Sequence, residues 1–156
     1  KPPNGEGFYA HYDGIFIFKD SSNVEYNGWY KYTDYFVNIL VALDKCTKEN
    51  GTIEISNSHK GSFNDLLKNT KNDGTPNILK SVEDDLDFNY IELDPGDVVL
   101  FSNRCPHRSK KNNSNRHRRT LYYTYTKKIH GSFYEEYFKD KKNSNNSSSK
   151  SLSGES

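Results

Sequence analysis

The sequence predicts an all-β domain, a sandwich, jelly roll or barrel. Short runs rich in aromatic and β-branched residues recur along the chain, separated by clusters of Gly, Asn, Asp and Pro. Few stretches carry a helical period, which leaves sheet packing as the way to close a core. The material for that core is aromatic. Hydrophobic residues are only 32% and mean hydropathy is −1.00, yet 12 Tyr and 9 Phe bring large apolar area per residue. At 156 residues the chain suits one compact domain.

In chain order, strands are expected at Gly7–His11, Gly14–Phe18 and the long run Tyr35–Leu43. Glu49-Asn50-Gly51 then supplies a tight turn before Thr52–Ser56. A short helix follows Ser62 (SFNDLLKNT) within the polar stretch 59–87. Asn89–Leu93 leads into Asp94-Pro95-Gly96-Asp97, where Pro pre-sets φ and Gly accepts φ > 0, and the next strand is Asp97–Ser102. Thr120–Thr126 is the last strand. A second helix starts at Ser132, whose spacing to Glu135 fits a capping box, and runs to about Lys141. The tail 143–156 (NSNNSSSKSLSGES) has one Leu and no aromatic, so burial cannot offset its ordering entropy and disorder is expected. The folded part is then residues 1–142.

Charge and cysteine usage exclude several classes. Lys+Arg 22 against Asp+Glu 21 leaves a net charge of +1, without the lasting cationic field that nucleic-acid or membrane-surface binding needs. The basic run from Arg104 to Arg119, with Tyr122, Tyr123 and Tyr125 as stacking partners, is the one feature that favours nucleic acid, and acidic stretches such as Glu83-Asp84-Asp85 balance it. No apolar run approaches the roughly 20 residues that span a bilayer. Two cysteines, Cys46 and Cys105, make no disulfide scaffold, which points to reduced, cytoplasmic surroundings. The expected partner is a small molecule, with neither nucleic acid nor membrane.

The first strand ends in His11-Tyr12-Asp13. Residues i and i+2 of a strand share a face, so one imidazole and one carboxylate can aim at a single point. A second His would complete the 2-His-1-carboxylate set of non-haem Fe(II) oxygenases, which leaves positions open for a cosubstrate and O2. His107, presented by a loop after Cys105-Pro106, is the expected partner; His59, His117 and His130 compete. A 2-oxoglutarate cosubstrate reaches its second carboxylate into the domain and needs a bidentate cation there, a role open to Arg118, with hydroxyls of Ser109 and Thr120 beside it.

These residues carry a resemblance. The stretches KPP…AHYDG, NILVALDKCTKENGTIEISNSHKG and DPGDVVLFSNRCPHRSKKNNSNRHRRTLYYTY resemble, in order, the phytanoyl-CoA dioxygenase (PhyH) family of Fe(II)/2-oxoglutarate-dependent oxygenases. The resemblance implies a double-stranded β-helix. It implies His11, Asp13 and His107 as iron ligands and catalytic centre, Arg118 as the clamp on 2-oxoglutarate, Ser109 as a second contact, and Leu40 against the cosubstrate. The implied activity is hydroxylation of a small organic substrate with O2, coupled to conversion of 2-oxoglutarate to succinate and CO2. A cupin-like metal-binding barrel or a catalytically inactive interaction module is the alternative.

Departures from the family pattern are specific. Tyr12 stands where Gln is usual, and Asn57 where Gly is usual. Only ten residues precede His11, whereas family members carry a helical region there, so the chain is expected to be the C-terminal core of a longer protein. The segment YYTYTKKIHGSFYEEYFKDKK resembles relatives acting on small polar substrates such as aminoalkylphosphonates. Tyr9, Tyr12, Tyr26, Trp29, Tyr30, Tyr32 and Tyr35, close to His11 in sequence, suit either an aromatic pocket for an amine or ordinary core packing.

Overall fold

The computed structural model describes residues 1–19, 23–28, 35–57, 60–71, 73–136 and 138–139. Two antiparallel sheets dominate it. One has the order β1 (Phe8–His11), β8 (His107–Ser109), β5 (Ile53–Ile55), β6 (Asn89–Tyr90). The other places β4 (Val37–Ala42) between β7 (Val98–Ser102) and β9 (Thr120–Tyr125). A separate hairpin joins β2 (Ile17–Lys19) to β3 (Glu25–Asn27). The all-β expectation holds, as an open two-sheet arrangement with short helices.

The inner faces of the sheets meet in one apolar core. Leu40 and Ala42 of β4 and Phe101 of β7 pack with Ile53 and Ile55 of β5, together with Cys46, Leu93 and Cys105. Alternation along β4 produces this: Asn38, Leu40 and Ala42 are buried, whereas Val37 is exposed and Ile39 and Val41 are half-buried. The outer face of the same sheet carries Val98, Leu100, Leu121, Tyr123 and Tyr125 in the open.

The four-stranded sheet is covered on its back by a second core. Ala10, Tyr12 and Ile15 pack there against Leu66 of α1 (Phe63–Leu67) and Ile78, with Val82 of α2 (Lys80–Asp84) at its margin. A capping box starts α1: Ser62 Oγ accepts from Asp65 N–H at 3.2 Å while Asp65 Oδ2 accepts from Ser62 N–H at 3.0 Å. Glu54, 1% exposed, accepts from Arg108 Nε and Nη2 at 3.0 and 2.8 Å, and Arg108 also donates to Glu83 at 2.7 Å. That ion triad fastens α2 to strands β5 and β8.

Some elements differ from expectation, for local reasons. Gly14 turns the chain at φ +81°, so the strand expected from Gly14 begins at Ile17. β8 is a strand rather than a loop: His-Arg-Ser has little strand propensity, but pairing with β1 on one side and β5 on the other holds it extended. β3 and α2 were not expected; α2 has no side-chain cap. Of the second expected helix, residues 134–136 and 138–139 are helical, and its end lies outside the described residues. So do the tail 143–156, His59, Trp29, Tyr30 and Tyr32. Among the described residues no helix is long and apolar enough to cross a membrane.

Two glycines clamp the exit of β8. A Cβ on Gly7 would lie 2.2 Å from the Ser109 carbonyl oxygen, and one on Gly51 2.2 Å from that of Lys110. Gly51 also has φ +68°, the left-handed value that the Asn50-Gly51 turn requires. Gly51→Ala is therefore expected to cost about 2–3 kcal/mol, from backbone strain plus the clash. Gly96→Ala, with φ +96° but nothing within 4 Å of the new methyl, should cost about 1–2 kcal/mol. Urea unfolding midpoints of the two variants check the order.

Candidate active site

Two strands far apart in sequence, β1 and β8, bring two imidazoles together. His11 of β1 sits directly across from His107 of β8, after an irregularity in pairing between Phe8 and His11. Such a shift re-aims side chains, and here the rings lie with centroids 4.2 Å apart. His11 Nδ1 donates to the Tyr9 carbonyl at 2.7 Å and His107 Nδ1 donates to the Cys105 carbonyl at 3.0 Å. A carbonyl only accepts, so each Nδ1 carries a proton, and Nε2, turned toward the interior, is the ring atom free to ligate a metal.

Asp13 comes from the bend after β1. Its N–H donates to the Asn103 carbonyl at 2.9 Å and its own carbonyl accepts from Asn103 Nδ2 at 3.3 Å, which ties it to the turn before β8. Its carboxylate reaches both imidazoles, Oδ1 at 3.7 Å from His11 Nε2 and Oδ2 at 3.6 Å from His107 Nε2. The three side chains offer ligand atoms within 4.8 Å of one another. Asn38 Nδ2, from β4, donates to Asp13 Oδ2 at 2.6 Å, and Thr124 of β9 donates to Asn38 Oδ1 at 3.2 Å.

Burial holds the His107 imidazole below its ordinary pKa, against the nearby Asp13 charge and with a smaller push from His11. A neutral imidazole is the form that ligates metal. Phe101 stands edge-on to His107 at 5.0 Å and Tyr122 edge-on to Phe101 at 6.0 Å. The Tyr122 phenol is pushed up, by burial first and then by Asp13. Two imidazole lone pairs and one carboxylate converging this way fit a divalent transition metal with bonds of about 2.0–2.2 Å.

The other expected site residues stand further along the same interior. Ser109 shares the inner face of β8 with His107, two residues on. Its Oγ accepts from Lys1 Nζ at 2.9 Å, and Lys1 Nζ also donates to the Lys110 carbonyl at 2.5 Å. Arg118, 7% exposed, enters from the loop before β9, and its buried Nε has no hydrogen-bond partner among the described residues. It lies near Cys46, whose thiol burial pushes up while Arg118 opposes, and near Lys1, lowered to about 8 by burial and then by Arg118. A buried guanidinium with a spare N–H beside a second cation fits one arm of a dicarboxylate. Leu40 is buried at the centre of β4. Thr120 is half-buried at the start of β9, opposite Ala42.

Tyr12 faces the other way. It is buried in the core behind the sheet, where its hydroxyl accepts from Asn69 Nδ2 at 3.2 Å. The aromatics beside the metal-competent cluster come instead from β9 and the segment after it: a cleft of about 850 Å³ is lined by Asp13, Asn38, Phe36, Tyr122, Lys128 and Tyr134, among others. Tyr9 lies exposed beside Lys71 and Tyr35 beneath Arg104. The basic run does not form one face, because Arg108 turns to Glu54, Arg118 inward and Arg119 to Asp44. His117 and His130 are exposed. Asn38 and Lys1 were not expected at the site. The signal for Asn38 was a polar side chain at an inward position of an apolar strand.

Comparison with known proteins follows the same lines. A model of the phytanoyl-CoA dioxygenase (PhyH) family matches residues 1–120. The chain is 30% identical over 142 residues to a 2-aminoethylphosphonate dioxygenase of an uncultured bacterium, covering 91% of this chain and 48% of that protein. It is 31% identical over 145 residues to a methylphosphonate hydroxylase of Gimesia maris, covering 92% and 48%. The chain thus spans about half the length of these curated relatives. Among solved structures, EctD from S. alaskensis with 2-oxoglutarate and 5-hydroxyectoine superposes with a TM-score of 0.54 at 17% identity, over 80% of this chain and 40% of that one. That likeness shows the jelly-roll fold.

A cluster that holds a divalent ion only when folded gains stability on binding it. Mn(II) at a hundredfold excess over its Kd is expected to add about 2.7 kcal/mol to unfolding, seen as a raised Tm, and Asp13→Ala should lose that increment. Thermal unfolding with and without the ion measures it.

Proposed function

The chain belongs to the phytanoyl-CoA dioxygenase family, and from that premise we propose that it forms the catalytic core of an Fe(II)/2-oxoglutarate-dependent dioxygenase that hydroxylates a small phosphonate. The observation that carries this is the convergence of His11, Asp13 and His107 at the edge of an aromatic cleft, with Arg118 buried in the same interior and unpaired at Nε among the described residues.

In this reading each side chain has one task. The Nε2 atoms of His11 and His107 and the carboxylate of Asp13 hold the iron. Two neutral donors and one anion leave part of the metal's charge free for anionic ligands. Arg118 grips the distal carboxylate of 2-oxoglutarate, Ser109 adds a hydrogen bond, and Leu40 and Thr120 shape the wall beside it. An iron held there would, with 2-oxoglutarate and O2, supply the oxidising chemistry that converts 2-oxoglutarate to succinate and CO2 and hydroxylates the substrate. The aromatic lining from Phe36, Tyr122 and Tyr134 excludes water, while Asn38 and Asp13 give the cleft a polar floor. Phosphonate as the substrate class rests on the two curated relatives and on Lys128, a cation lining the cleft.

Two measurements test the reading. Titration of the Mn(II)-loaded chain with 2-oxoglutarate, without O2, should show binding that depends on the metal. Arg118→Lys is expected to weaken it roughly 10–100-fold, because an ammonium cannot replace a two-pronged hydrogen bond worth about 1.5–3 kcal/mol. Unchanged affinity would place the clamp elsewhere. With Fe(II), 2-oxoglutarate and O2, His107→Ala should abolish succinate formation, since two ligands cannot fix the metal; full turnover by that variant removes His107 from the centre.

A further inference from the structure

We propose that Asn38 is a positioning residue that commits Asp13 to metal ligation through a single oxygen, Oδ1. The inference rests on the metal-centre reading above and adds a role for residues outside the three ligands.

The two Asp13 oxygens are equally close to imidazole nitrogens, 3.7 Å for Oδ1 and 3.6 Å for Oδ2, so proximity does not choose between them. The hydrogen bond does. Asn38 Nδ2 donates to Oδ2 at 2.6 Å, and among the described residues it is the side-chain donor to that carboxylate. Asn38 is 1% exposed although it lines the cleft, so its amide is largely shielded from water. Its orientation is set from behind. Thr124 donates its hydroxyl to Asn38 Oδ1 at 3.2 Å, which keeps the carbonyl end away from Asp13 and the NH2 end toward it. The flipped amide would set oxygen against carboxylate oxygen.

The Asp13 side chain itself is 26% exposed and stands on a bend, so without this contact its carboxylate is free to rotate. A carboxylate that gave both oxygens to one ion would fill a further coordination position. Holding Oδ2 in a hydrogen bond keeps that position available to the other ligands. The relay runs across the sandwich: Thr124 on β9, Asn38 on the neighbouring β4, then Asp13 beside β1.

Co(II) binding to the chain reads both affinity and coordination. Asn38→Ala is expected to raise the Co(II) dissociation constant at least tenfold and to change the position and intensity of the visible d–d bands as the second oxygen joins. Thr124→Val should shift both in the same direction by a smaller factor, about threefold in affinity, while Thr124→Ser keeps the wild-type values. Far-UV circular dichroism monitors folding, and if Asn38→Ala does not fold, the Thr124 pair carries the test. Wild-type affinity and bands in Asn38→Ala overturn the inference and leave the metal centre standing. Weaker binding with unchanged bands, or equal behaviour of Thr124→Val and Thr124→Ser, also overturns it. A wild-type chain that binds no Co(II) overturns the centre and this inference together.

Discussion

Antiparallel pairing of β1 with β8 is the contact on which the rest turns. It puts His11 across from His107, although the two strands lie some ninety-six residues apart in sequence, and it does so through backbone hydrogen bonds rather than side-chain chemistry. Everything nearby acts to hold that register. Asn103 bonds Asp13 both ways, the close approach of Gly7 and Gly51 pins the carbonyls of Ser109 and Lys110, and the Glu54–Arg108–Glu83 triad locks the same strand from behind. A one-residue slip would turn His107 and Ser109 to the wrong face together.

The interior that results is unusually polar for its size, and the charges are sorted. On one side of the four-stranded sheet Arg108 is satisfied by two carboxylates. On the other, Asp13 faces two imidazoles, while Arg118 and Lys1 approach each other with burial lowering the lysine to about 8. Buried groups of this kind are costly unless partnered. A carboxylate waiting for a cation and two cations waiting for an anion are complementary needs, which a metal and a dicarboxylate meet in the proposed reaction.

Much of this was legible in the sequence where the rule is local. The i, i+2 geometry of His11 and Asp13 needs only an extended chain, and the Asn50-Gly51 turn and the capped start of α1 are written in neighbouring residues. Legibility fails where tertiary pairing decides. Nothing in His-Arg-Ser announces a central strand, and α2 without a side-chain cap is held by packing and by Glu83. The roles expected for Arg118 and Ser109 came from the chemistry of a dicarboxylate cosubstrate and from family resemblance, not from periodicity. Tyr12, read as a neighbour of the ligands, follows the alternation rule to the opposite face. Asn38 was passed over because one polar residue in YFVNILVAL looks like noise until Thr124 and Asp13 are seen at its two ends.

The back of the three-stranded sheet has a practical side. Val98, Leu100, Leu121, Tyr123 and Tyr125 stand exposed on one face, flanking Ile39 and Val41 of the central strand, and adjoining exposed apolar residues favour association. Handled in solution by itself, this polypeptide will be adhesive: light scattering will grow with concentration and recede with mild detergent, whatever its metal content. Tyr123 and Tyr125 also border the cleft, so charge that improves colloidal behaviour without touching the chemistry belongs at Val98 or Leu100, which do not line it.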